Sequence, residues 1–178
     1  NDDHEKIKSF SQLNFLPIIN GLSDFSHPCQ ILSDIFTIEE ILGPINKINI
    51  AWVGDINNVL ITLMQASQIF QFTLKIASPD VILQNKRSII NQYKSKKISF
   101  YNNPFKAVTK TDCVMTDAWI SMSEKNSIKK KRLFKDFQVN DFLMQYAKKR
   151  AIFMHCLPAH RNEEVTDSVM DGVQSVVW

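Results

Sequence analysis

Four short clusters in this 178-residue chain carry side chains that could do chemistry. His27-Pro28-Cys29-Gln30 offers an imidazole and a primary amide at the head of an apolar helical run. That pair can donate to a carbonyl or phosphate oxygen, helped by the helix N-terminus. Gly54-Asp55-Ile56-Asn57-Asn58 places two amides where a strand turns into a helix, a setting suited to a carboxylate or another polar group. It is not a GxGxxG loop, which disfavours dinucleotide binding. Asp117, heading Asp117-Ala118-Trp119-Ile120-Ser121-Met122, can hold an ammonium group. His155-Cys156-Leu157-Pro158 sets a thiol beside an imidazole, with His160-Arg161 close behind; a thiol so placed is a candidate reactive or polarising group. Adjacency in sequence does not make the two a nucleophile–base pair, and the pattern lacks a zinc ligand set. Each cluster also has a plain structural use as a helix cap or a βα turn. Taken together, amide, carboxylate, imidazole and thiol suit a small zwitterionic, amino-acid-like ligand.

The elements around the clusters alternate. Lys47–Val53, Phe72–Ala77, Lys97–Tyr101, Cys113–Thr116 and Ala151–His155 read as buried strands. Leu60, Leu63, Met64, Ser67 and Phe70 recur at helical spacing between the first two. Ser78-Pro79-Asp80 caps a helix over Val81–Tyr93, and Phe105–Lys110 forms a short one. Val139 to Ala147 carries a helical stripe, Asn162–Met170 reads as a helix, and Ser175–Trp178 reads as a last strand. Repeated β–α units on short loops predict an α/β fold: a doubly wound, Rossmann-like parallel sheet of about five strands with helices on both faces. Ligands of such sheets sit beyond the carboxyl ends of the strands, where three of the clusters lie. Ahead of this run, Ser11–Asn20 reads as a strand and Ile31–Leu42 as an amphipathic connecting helix. The division expected is therefore 1–45, the end of a preceding domain with its connecting helix, and 46–178, the α/β domain, cut short at its C-terminal end.

Composition excludes several classes. Lys plus Arg exceed Asp plus Glu by 21 − 18 = +3, too little for a strongly basic nucleic-acid binder. The 17 Lys against 4 Arg indicate mutational bias, so Lys125, Lys129, Lys130, Lys131, Arg132 and Lys135 read as a solvated stretch. Cys29, Cys113 and Cys156 form no CxxC pair, which fits a reducing compartment. The uncharged stretch 56–74 is too rich in Asn and Gln to span a bilayer.

These motifs, in this order, resemble the ornithine carbamoyltransferases, and the likeness runs from about Leu16 to Trp178. Ile19-Asn20-Gly21-Leu22-Ser23-Asp24 and His27-Pro28-Cys29-Gln30 look like the family's approach to carbamoyl phosphate. Trp52-Val53-Gly54-Asp55 with Asn57-Asn58, and Asp117 with Ser121-Met122, look like its ornithine site. Met154-His155-Cys156-Leu157-Pro158 looks like its catalytic cysteine motif. The resemblance implies that His27 and Gln30 contact carbamoyl phosphate, with His27 polarising the carbonyl oxygen. It implies that Asn58 and Asp117 hold the α-carboxylate and α-amino end of ornithine, with Ser121 and Met122 lining that site. Cys156 and Leu157 would sit by the reacting δ-amine, where a thiolate or carboxylate could take part in its deprotonation. Cys156, His27 and Asp117 are then the catalytic candidates, with no cofactor and no metal. The implied partners are L-ornithine and carbamoyl phosphate, in a cytoplasmic homotrimer (mitochondrial matrix in an animal) with no nucleic acid and no membrane.

The sequence departs from the family pattern at Ile56, at Ser123 and at Asn162, where Gly is frequent; Asn tolerates a left-handed φ. No Ser-x-Arg-Thr phosphate cradle occurs in the 178 residues. The resemblance therefore implies an ornithine-binding domain plus linker, inactive alone. Two alternatives stand beside it: a related carbamoyltransferase with another amine acceptor, and an inactive amino-acid-binding fragment. Of the cysteines, Cys156 is expected to face the cleft and react first, Cys113 to be buried, and Cys29 to face the connecting helix.

Overall fold

A computed structural model describes residues 3–120 and 127–178. The chain opens with helix α1 (His4–Gln12) and, after an extended segment, α2 (Pro28–Leu42). The α/β run follows as β1 (Asn49–Val53), α3 (Asn58–Phe70), β2 (Thr73–Ala77), α4 (Asp80–Asn85), α5 (Arg87–Tyr93) and β3 (Ile98–Tyr101). It continues as α6 (Pro104–Val108), β4 (Cys113–Thr116), α7 (Ser127–Phe134), α8 (Asp141–Met144), β5 (Ile152–His155) and α9 (Asp167–Met170). All five strands are parallel, in the order β3-β2-β1-β4-β5. The expected doubly wound fold is present.

Alternation along the strands builds two cores. Ile50 and Trp52 of β1, Cys113 and Met115 of β4, and Ile152 and Met154 of β5 face α2, α3 and α5. Ala51, Val53, Val114 and Phe153 face the other way, toward α6, α7, α8 and α9. Strands covered on both faces need apolar residues at nearly every position, as in the run Ile-Ala-Trp-Val of β1. The order reverses at β1, whose neighbours are β2 and β4, so the loops after β1 and β4 open side by side.

Several boundaries differ from expectation. Ser11–Asn20 holds no strand: its first residues finish α1, and the rest runs on with Phe15 and Ile19 each 84% exposed. The apolar residues of this segment suggest a strand, yet among the described residues no neighbouring strand offers them a ladder. The helix over Val81–Tyr93 divides at Lys86. The stripe at Val139–Ala147 winds only over Asp141–Met144, because Val139 instead joins an isolated parallel bridge to Val165. Likewise Asn162–Met170 is helical only from Asp167, since Asn162 sits at φ 65° and Val165 is committed to that bridge. Ser175–Trp178 contributes one bridge, Phe153 to Ser175, rather than a strand. Asn162 does adopt the left-handed backbone expected of it.

Candidate active site

Three turns meet at the carboxyl ends of β1, β4 and β5. After β1, the Asn57 side chain caps α3 by accepting from the Leu60 N–H at 3.1 Å. With its oxygen so used, its Nδ2 turns to the Asp117 carboxylate after β4 and donates to Oδ2 at 2.6 Å. The other Asp117 oxygen accepts from the Ala118 N–H at 2.7 Å. After β5, the Cys156 thiol comes within 4.8 Å of the Asp117 carboxylate. Burial, and then the negative charge of Asp117, push that thiol far above the usual range, so it stays protonated. Of the two groups expected to assist deprotonation, the thiolate is thus set aside: Cys156 is a neutral thiol.

His155 is fixed from both sides. Its Nδ1 accepts from the Leu157 N–H at 2.9 Å, which places the ring proton on Nε2, 3.2 Å from Glu164 Oε1. Both side chains are fully buried. Glu164 also accepts from the His160 N–H at 2.5 Å, closing the loop behind β5. Asp117, His155 and Cys156 bring one potential metal-ligand atom each within 4.8 Å of one another. With both imidazole nitrogens engaged, that trio is built for hydrogen bonding rather than for a cation. Leu157 is half exposed and held at φ 54°, so the backbone turns sharply at the mouth of the site.

On the opposite wall stands α2. The His27 N–H donates to Thr62 Oγ1 of α3 at 2.9 Å, docking the two helices at their N-terminal ends. His27 Nδ1 is buried and has no partner among the described residues, which leaves an imidazole nitrogen for a ligand. Gln30 Nε2 donates to Asp34 Oδ1 at 2.9 Å. Asn58 donates to the Ser23 carbonyl at 2.8 Å, which ties the extended segment before α2 to α3.

The structure thus joins Asp117 and Cys156, with His27 and Gln30 on the facing helix. It binds Asn58 to Ser23 and puts Asn57 against Asp117. Ser121 and Met122, and the departure at Ser123, lie outside the described residues. Reasoning from sequence missed Asp34, Asn57's contact and Glu164. A signal existed for the first: an acidic residue in the apolar register of a helix. The Lys stretch also needs correcting. Lys130 pairs with Asp55 at 2.6 Å, both side chains mostly buried, and Lys131 pairs with Glu163. Cys113 is buried as expected, but Cys29 is exposed and Cys156 only partly accessible, which reverses the expected order of reactivity.

A doubly wound parallel α/β domain that gathers amide, carboxylate and thiol beyond its strand ends fits the class of small-molecule-binding α/β domains. The chain belongs to the aspartate/ornithine carbamoyltransferase family. Residues 46–178 match that family's Asp/Orn binding domain, and residues 1–40 its carbamoyl-P binding domain. Among curated relatives, the ornithine carbamoyltransferase of Ruthia magnifica is 49% identical over 98% of this chain and 58% of its own length. That of Rhodopseudomonas palustris (strain BisA53) is 46% identical over 99% of this chain and 57% of its own length. Among solved structures, ornithine carbamoyltransferase from Burkholderia thailandensis superposes with a TM-score of 0.88 at 40% identity, over 99% of this chain and 57% of that one. The enzyme from Thermus thermophilus gives 0.87 at 30% identity, over 99% and 58%. The chain therefore spans a little over half the length of the relatives it matches.

Proposed function

We propose that the complete enzyme carrying this chain moves the carbamoyl group of carbamoyl phosphate onto the δ-amine of L-ornithine, giving L-citrulline and phosphate. The observation that carries this reading is Asp117 held by Asn57 at 2.6 Å beside a protonated Cys156, in a chain whose relatives are named for that acceptor. Residues 1–45 would end the carbamoyl phosphate domain and supply the connecting helix, and 46–178 would bind ornithine. Asp117 receives the α-ammonium, with Asn58, Ser121 and Met122 around the amino-acid end. Cys156 and Leu157 stand by the δ-amine, and His27 and Gln30 face the carbamoyl group. The neutral amine attacks the carbamoyl carbon and a C–N bond forms. The carbonyl oxygen takes the charge against His27, the C–O bond to phosphate breaks, and the amine proton leaves with the phosphate. Catalysis is then orientation plus stabilisation of a developing oxyanion. The complete enzyme would be a homotrimer in the cytoplasm; no helix of the described residues is long and apolar enough to cross a membrane.

The test is direct. Asp117→Asn should weaken ornithine binding about ten- to a hundredfold, the worth of a charge-assisted contact of roughly 1.5–3 kcal/mol, while carbamoyl phosphate binding changes little. Calorimetry with carbamoyl phosphate present measures it. Unchanged ornithine affinity, or preferential carbamoylation of aspartate, acetylated ornithine or putrescine by the parent enzyme, overturns the reading.

A further inference from the structure

One carboxylate near the site has no part in that scheme. Asp34 lies on the face of α2 that also carries Ile31, Ile35 and Ile38, and is only 6% exposed. A carboxylate buried in an apolar stripe costs stability unless it is paired. Here Oδ1 takes the single bond from Gln30, one turn earlier at 2.9 Å, and Oδ2 has no partner among the described residues. The negative charge of Asp117 after β4 acts on Asp34, and Asp34 in turn helps keep the thiols of Cys156 after β5 and Cys113 within β4 protonated.

We propose that Asp34 is a positioning residue that sets the polarity of the Gln30 amide toward the carbamoyl group; the inference rests on the functional reading above. An amide has two unlike ends, and rotation by half a turn exchanges them. An ionised carboxylate can only accept, so Gln30 must give Asp34 its Nε2 and keep Oε1 for the ligand. An outward oxygen accepts from the carbamoyl –NH2. An outward nitrogen would set donor against donor. A leucine at position 34 would fill the same space and leave the amide free to turn. An asparagine could bond Gln30 in either sense, and so would hold the right one only part of the time.

The experiment uses the complete enzyme and carbamoyl phosphate. Asp34→Leu and Asp34→Asn are made in the parent and in a Gln30→Ala background, with affinity read by calorimetry and KM and kcat by citrulline formation. Asp34→Leu should weaken carbamoyl phosphate binding about tenfold, and Asp34→Asn a few-fold. KM for carbamoyl phosphate should rise more than kcat falls. In the Gln30→Ala background neither change should weaken binding further, because the residue acts through the amide. Parent-like affinity in both variants overturns the proposal. So does an equal further loss without Gln30, which would mark a packing role. Should Asp34→Leu fail to fold, the Asp34→Asn pair of backgrounds decides alone. A parent enzyme that binds no carbamoyl phosphate removes the functional reading, and this inference falls with it.

Discussion

At the scale of single residues, the site is defined by what burial does to charge. Asp34 sits on an apolar helix face, and desolvation raises its carboxyl to about 6, with Asp117 adding repulsion against the lowering bond from Gln30. The folded value exceeds the unfolded value of 3.8, so folding takes up a proton between these pH values. The cost of ionised Asp34 is therefore absent below about pH 4 and complete above about pH 6. Asp34→Asn should raise the unfolding free energy by about 1–3 kcal/mol at pH 8, at about 1.4 kcal/mol for each unit of displacement, and by nothing at pH 4. Denaturant titrations at the two pH values check it; an equal gain at both would show that charge is not the cause. The same logic ranks the thiols. Cys29 is exposed on the first turn of α2, whereas Cys156 is held protonated and Cys113 is sealed in the sheet. Alkylation of this chain followed by mass spectrometry should label Cys29 first, and faster labelling of Cys156 would contradict the geometry at Asp117.

Between elements, a few side chains do the joining. Asp112, just before β4, accepts from the backbone and side-chain N–H groups of Asn49 at 3.0 and 3.1 Å, and from Lys148 at 2.6 Å. Burial would raise its carboxyl, yet these donors prevail and hold it below the usual range. The contact thus stabilises the fold above about pH 4 and is lost as the pH falls through the lowered value. Asp112→Ala should cost about 1–3 kcal/mol at pH 7, much less at pH 3, and urea unfolding at both reads the difference. Asn57 works at two levels, capping α3 and bracing Asp117. Asn57→Ala should lower stability by about 1 kcal/mol and also weaken ornithine binding in the complete enzyme. A cap loss with no change in ornithine affinity would separate the two tasks and confine Asn57 to the helix.

Across the whole molecule, the strands were legible because each carries a compact apolar run between turn residues, and β1 with Gly54-Asp55 is the clearest. Ser11–Asn20 misled, since apolar content shows a wish for burial but not a partner to pair with. The short helices α8 and α9 were overextended because Val139 and Val165 follow a helical pattern yet bridge to each other. His27, Gln30, Asp117 and Cys156 could be found from their positions beside strand ends and a helix start. Asn57's choice of Asp117, and Glu164's grip on His155, depend on residues 60 and 9 positions away that only the closed sheet brings together. Asp34 was legible in principle, because it falls in the register of Ile31, Ile35 and Ile38 on the buried face of α2.

Burial, with a smaller contribution from the nearby Asp117 charge, makes Asp34 a store of exchangeable hydrogen ions near pH 6. An incoming ammonium that neutralises Asp117 also removes part of what keeps Asp34 protonated. Ornithine binding at that pH should then release a fraction of a proton from the complete enzyme. The apparent heat of binding should vary with the ionisation heat of the buffer at pH 6, and much less at pH 8, where Asp34 has already ionised. In Asp34→Asn the excess of that buffer dependence at pH 6 over pH 8 should disappear.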